Sequence, residues 1–309
     1  MIQIIIRYIQ LVCFGIAIVS CERKALEKQE IEQSKRQIKI LTESIHDPIM
    51  NSDRLEYNER SSKNSFITRS VFNSEGDLID KSVFNSMGNL DQRITLKYDK
   101  HGNNFETDRY SSNGSISGKI ISTFNSSDKL IESREVDAKG KMIGKQSVGY
   151  NSDGNTSIVS YKLIGGEFIK TQERVTDGHE RNIENHYFTN GKLTSKDINR
   201  FDVRGNRIEV LQEFLLRNEK TITQYKYDKQ NNNIETIVLD SNLMLTARVI
   251  SRYDDKNNLI ETLTYGILGS LIKRVKHTYE YDDASNWTKE ITFVNSKPVS
   301  VTIHRIEYY

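Results

Sequence analysis

From residue 72 to the C-terminus, short runs of alternating apolar and polar residues are separated by clusters of Asn, Asp, Gly and Ser. Alternation with a period of two predicts strands, and the clusters predict tight turns between them. The turns recur at a fixed interval. An aromatic residue is followed by Asp or Asn, two variable residues, and then Gly, Asn or Asp: Phe72-Asn73…Gly76, Tyr98-Asp99…Gly102, Phe124-Asn125…Asp128 and Tyr150-Asn151…Gly154. The series continues with Phe201-Asp202…Gly205, Tyr227-Asp228…Asn231 and Tyr253-Asp254…Asn257, and ends with Tyr281-Asp282…Ser285. The steps between aromatic anchors are 26, 26, 26, 51, 26, 26 and 28 residues, the 51 being two units with a degenerate copy near Val175 and a turn at Asp177-Gly178. A constant period of this size is the mark of a repeat architecture. Each unit carries a second, looser turn, such as Phe84 to Gly88, Tyr110 to Gly114, Tyr161 to Gly165 and Tyr265 to Gly269. The expected fold is therefore all-β: a long antiparallel β-meander of about nine 26-residue, two-strand repeats in a single curled or superhelical sheet of about 19 strands.

Backbone geometry explains the motif. Asp or Asn at the first turn position bonds to backbone N–H groups further along the turn, two helical residues follow, and the next must take φ > 0. Glycine does so without strain, and Asn or Asp are the usual replacements, as at Asp128, Asn231 and Asn257. With the anchor at position zero, such a loop predicts that position zero faces position six and position minus two faces position eight. Position eight is acidic in six units: Asp80, Glu106, Glu132, Glu209, Glu235 and Glu261. These would form a surface column on the face of the anchor aromatics. The other face would carry Ile79, Phe105, Ile131, Ile208, Ile234 and Ile260 opposite Lys97, Arg200, Lys226 and Arg252. Both faces then mix apolar and charged columns, which excludes a two-sheet sandwich.

Tyr98-Asp99-Lys100-His101-Gly102-Asn103 and Phe201-Asp202-Val203-Arg204-Gly205-Asn206 resemble the RHS/YD-repeat family, whose signature is Tyr-Asp-x-x-Gly followed by Asn or Arg. The resemblance spans residues 72–309. In large family members it implies a spiral shell around a toxin domain. Here about nine units run into strand-like residues Val301 to Tyr309, so encapsulation is not expected.

The N-terminus has a different pattern. Arg7 precedes an apolar run over residues 8–19, too short to span a bilayer and suited to the core of a signal peptide. Ile18-Val19-Ser20-Cys21 resembles the lipobox of bacterial lipoproteins. That resemblance implies a signal peptide over 1–20, acylation of Cys21, and a bilayer partner held through that cysteine. It also implies residence in the cell envelope, at the outer membrane or cell surface rather than the inner membrane. Residues 21–56 are rich in Glu, Lys and Gln, with Ala25, Ile31, Ile38, Leu41 and Ile45 at roughly helical spacing. They predict a helical or disordered tether ahead of a β-repeat domain over 57–309.

Composition narrows the function. With 44 basic and 42 acidic residues the net charge is +2, so no field calls for nucleic acid. Both cysteines lie within the first 21 residues, which excludes a disulfide framework or cysteine-based metal site beyond them. The six histidines fall at unrelated repeat positions, and no phosphate loop, HExxH or GxSxG occurs. The expectation is a non-enzyme without metal or cofactor. It would be an anchored module offering an extended β-surface to a protein or glycan partner, or a structural envelope component needing no specific ligand.

Overall fold

The computed structural model describes residues 37–51, 54–57, 66–151, 156–163 and 168–309. The signal segment 1–20, Cys21, the first part of the tether, Gly154 and Gly165 lie outside them. Twenty-two strands and no helix occur among the described residues. The first are β1 (Ile38–His46), β2 (Pro48–Asn51), β3 (Arg54–Tyr57), β4 (Ile67–Phe72), β5 (Leu78–Phe84) and β6 (Leu90–Tyr98). Next come β7 (Asn104–Tyr110), β8 (Ile116–Phe124), β9 (Leu130–Asp137), β10 (Met142–Tyr150), β11 (Thr156–Leu163) and β12 (Phe168–Thr176). They are followed by β13 (Asn182–Thr189), β14 (Lys192–Phe201), β15 (Arg207–Phe214), β16 (Glu219–Tyr227) and β17 (Asn233–Leu239). The last are β18 (Leu245–Tyr253), β19 (Leu259–Tyr265), β20 (Leu271–Tyr281), β21 (Trp287–Val294) and β22 (Lys297–Tyr308).

Strands β4 to β22 form a 19-strand antiparallel meander in which each pairs with the next, as the repeat predicts. Its two outer strands do not stay free. β1 pairs with β22 along one side, from Ile38↔Tyr308 to His46↔Val301, and with β4 along the other, from Ile40↔Val71 to Ser44↔Ile67. The circuit of strand pairing thus returns to its start, and neither outer strand of the meander presents an unpaired ladder along β1.

This overturns the helical or disordered tether over 38–46, 48–51 and 54–57, which are strand, with β2 and β3 forming a separate hairpin. The apolar residues of Ile38–His46 are compatible with either period. Two waiting strand edges decide between them, because satisfying backbone donors and acceptors on both sides outweighs a weak local helical preference. The hairpin lies over the closure: Tyr57 packs on His46 with ring centroids 5.1 Å apart, and Val301 beneath this region is 0% exposed.

Because the meander is antiparallel, successive turns alternate between two ends. The anchor turns all lie at one rim, and the looser turns lie at the other. At the anchor rim the predicted loop is present: the Gly102 N–H donates to the Asp99 carbonyl at 3.0 Å, and Asp99 N–H to Asn103 O at 3.0 Å. Positive φ falls where expected, at Gly76, Gly102, Asp128, Gly205, Asn231, Asn257 and Ser285. In the degenerate unit the positive-φ residue is Glu180 rather than Gly178, so its anchor is Thr176.

The register differs from expectation by one residue. Position zero faces position six, as in Tyr98↔Asn104 and Phe201↔Arg207. Position eight, however, faces position minus one: Lys97↔Glu106, Arg200↔Glu209, Lys226↔Glu235 and Arg252↔Glu261. A β-bulge just beyond the loop leaves position seven (Ile79, Phe105, Ile131, Ile208, Ile234, Ile260) without a direct partner. Since the side-chain period is two, this single-residue slip moves the acidic column off the face of the anchor aromatics and onto that of the basic one.

Candidate functional site

The acidic column is built into the sheet. Glu106 is held by Lys97 at 2.6 Å and Lys119 at 3.1 Å, and Glu132 by Lys145 at 2.5 Å and by Arg134. Glu235 lies 2.6 Å from both Lys226 and Arg248, and Glu261 2.7 Å from Arg252 and 2.6 Å from Arg274. Asp80 pairs with Arg93 at 2.7 Å, and Glu209 with Arg200 at 3.2 Å and the Gln224 amide at 3.0 Å. For Glu106, Glu235 and Glu261 one cation stands directly opposite at position minus one and the other lies diagonally on the following strand. Asp80 and Glu132 take the diagonal cation, Glu132 adding Arg134 of its own strand, and Glu209 takes the opposite one. The diagonal column (Arg93, Lys119, Lys145, Arg248, Arg274) was missed in the sequence, although it keeps a constant offset of 13 residues from its acid.

The pairs hold Glu106, Glu132, Glu235 and Glu261 ionised. The Lys97 and Lys119 hydrogen bonds lower the Glu106 carboxyl below its ordinary value, and those of Lys145 and Arg134 do the same for Glu132. Lys226 is the largest influence lowering Glu235. Burial alone would raise Glu261, which is 5% exposed, but Arg274 and Arg252 outweigh it and the net direction is down. Carboxylates already satisfied by two cations are poor cation ligands, and no group of three His, Cys, Asp or Glu converges among the described residues. Glu209 and Glu235, with Arg200 and Lys226, line an open depression of about 240 Å³, below the usual range for a ligand pocket.

The anchor aromatics also serve the sheet. The Tyr98 hydroxyl donates to the Leu78 carbonyl at 2.9 Å, Tyr150 to Leu130 at 2.9 Å, Tyr227 to Arg207 at 2.9 Å and Tyr253 to Asn233 at 3.0 Å. Each reaches back 20 residues to the carbonyl beside the previous bulge, where the ladder is interrupted. Burial, reinforced by Asp77, pushes the Tyr98 hydroxyl up to about 12. In the last unit Tyr279 takes over this contact with Leu259, while Tyr281 donates to Asp254 at 2.9 Å.

Neighbouring anchor turns are stitched together by asparagine at position five. Asn103 donates to Asp99 at 3.1 Å and to Asp128 in the next turn at 2.9 Å. Asn206 does so to Asp202 and Asn231, and Asn232 to Asp228 and Asn257, each at 3.0 and 2.9 Å. The residue at φ > 0 therefore has a second duty, accepting from the preceding repeat, which explains why Asn or Asp replaces glycine there. A Cβ placed on Gly76 or Gly205 would meet no atom within 4 Å, so these glycines serve the turn and not the close approach of another group. Backbone N–H donation from Asn103, countered by burial, leaves Asp99 lowered. Asp202, Asp228 and Asp254 are lowered too, their Asn partners outweighing burial.

Three of the six histidines, His46, His277 and His304, lie at or near the closure. Trp287 stacks on His304 at 3.5 Å, His304 lies 3.0 Å from Glu43 of β1, and His277 lies 2.6 Å from Glu290. His277 and His304 each pair with one carboxylate, and His46 lies 2.8 Å from the Ser44 hydroxyl.

No protein-family model matches the chain, and no curated protein does. Among solved structures, the TcdB2-TccC3 complex aligns over 77% of this chain at 12% identity and a TM-score of 0.39. This chain spans 15% of its length. A porin-like protein from Bacteroides uniformis aligns over 89% of this chain and 98% of its own at 12% identity, with a TM-score of 0.34. A eukaryotic initiation factor aligns over 88% and 97% at 7% identity, with a TM-score of 0.37.

Proposed function

We propose that this chain is a lipid-anchored envelope protein of the RHS/YD-repeat type, whose β-repeat sheet is a rigid interaction module for a protein partner. The reading is supported first by Ile18-Val19-Ser20-Cys21 behind an apolar run and ahead of charged Glu22, Arg23 and Lys24. Several acyl chains on one cysteine would give stable anchoring where one chain gives marginal binding. The internal pairing of the tyrosine hydroxyls and of the acidic column favours a protein over a glycan partner, since the hydrogen-bonding groups a sugar would use are occupied. The same internal pairing favours, as a second reading, a structural envelope component that contributes shape. Labelling cells with a radioactive fatty acid tests the anchor: label is expected on the native chain and absent from Cys21→Ser, and label on the serine variant would overturn it. Crosslinking in intact envelopes tests the module, with capture of one defined protein expected. Absence of any adduct would leave the structural reading standing.

A further inference from the structure

The rim of looser turns contains an arc unlike the rest. Three consecutive turns carry exposed apolar pairs at their tips: Leu215 and Leu216, Leu243 and Met244, Ile267 and Leu268. Leu268 is 94% exposed and Leu243 66%. Turns at this rim around the other arc, such as Ser111–Ser115 and Asp137–Lys141, carry polar tips, and the turn Asn85–Asn89 carries one exposed apolar residue, Met87, rather than a pair. Leu243 also takes φ +62 at the place where Gly88, Gly114, Gly140 and Gly269 stand in equivalent turns. A branched side chain held in the left-handed region and exposed to water is unfavourable on both counts, which points to use rather than packing.

The charges complement one kind of surface. Lysines flank the arc, with Lys192 in the turn before it, Lys273 within it and Lys297 in the turn after it, all exposed. The acidic residues among the tips are partnered locally: Glu219 pairs with Arg217 at 3.4 Å, and the Asp240 carboxylate, still charged, accepts from the Asn242 and Met244 N–H groups. Protruding apolar tips on separate turns, flanked by cations, suit a fluid apolar layer beneath anionic headgroups.

We infer that this arc is a second membrane contact, inserting its six apolar tips into an anionic lipid surface. Lipid is chosen over a protein surface partly on the anchoring reading above. All described strand pairings lie within residues 38–308, so a chain beginning at residue 22 keeps the whole circuit while lacking the acyl group. That chain should float with phosphatidylcholine vesicles containing phosphatidylglycerol and do so less with phosphatidylcholine alone. Ile267→Ser with Leu268→Ser should weaken flotation by about tenfold or more, since two leucine-sized groups leave the apolar phase. Val203→Ser, an exposed apolar residue at the opposite rim, should leave it unchanged, with thermal melts confirming that both variants fold. No flotation of the native sequence, or flotation indifferent to the double change, would overturn the inference. So would a dimer that the same double change dissolves, which would make the arc an interface between copies. Fatty-acid labelling of Cys21 in cells is read separately, so failure of the anchor and failure of the arc give different results.

Discussion

The two rims of the sheet are made from the same kind of turn and solve its strain in opposite ways. At the anchor rim the left-handed position is Gly, Asn or Asp except at Glu180 and Ser285, and where asparagine follows it ties one turn to the next, as Asn232 does to Asn257. At the other rim, between residues 215 and 268, leucine occupies the left-handed position once and apolar side chains crown three turns. One rim is optimised for its own cohesion, while an arc of the other is kept apolar at a cost to folding. Where a repeat departs from its own rule in the unfavourable direction, the departure marks use.

Acid should break the comparison most strongly. Asp99, Asp202, Asp228 and Asp254 at the anchor rim, and Glu43 at the closure through its hydrogen bond from His304, have carboxyls lowered on folding. Groups of this kind contribute stability that is present above the unfolded value of about 4 and lost as pH falls through the folded one. Thermal melts from neutral to acid pH are expected to fall steeply only below about pH 4, with amide chemical shifts at the anchor rim moving before those of the apolar arc. Simultaneous movement at both rims would remove the distinction.

Gly205→Val should be the largest single change, costing about 1–2 kcal/mol for backbone strain alone, whereas Gly205→Asn should be far milder. Hydrogen exchange should show faster opening confined to the flanking strands for valine. Equal damage by both would mean the glycine serves something other than the turn. Asn232→Ala removes the tie between two turns and should cost about 1 kcal/mol, measured by denaturant unfolding. Leu243→Asn carries the opposite sign: relief of left-handed strain should stabilise by roughly 0.5–1 kcal/mol while weakening vesicle flotation. A destabilised Leu243→Asn would show that the leucine packs within the fold. Smallest of all, Arg200→Ala breaks an exposed pair to Glu209 and should change stability by less than about 0.5 kcal/mol.

Local chemistry made the repeat legible. The period, the turn type, the left-handed residues and the pairing of position zero with six all follow from Asp, Asn and Gly at constant offsets, because a hairpin loop is decided by residues that touch along the chain. Three features needed the tertiary structure. The bulge at position seven lies in the returning strand, outside the loop motif, and it alone puts Lys97 across from Glu106 rather than on the other face. The strand identity of Ile38–His46 depends on β22 and β4, and its contact with β22 joins residues as far apart in the chain as Glu43 and His304, 261 positions. The apolar arc exists only because two-strand spacing brings residues 215, 243 and 268 to one rim. A side-chain period of two and a closed circuit of backbone pairing are properties of strands side by side, and a single strand's sequence carries neither.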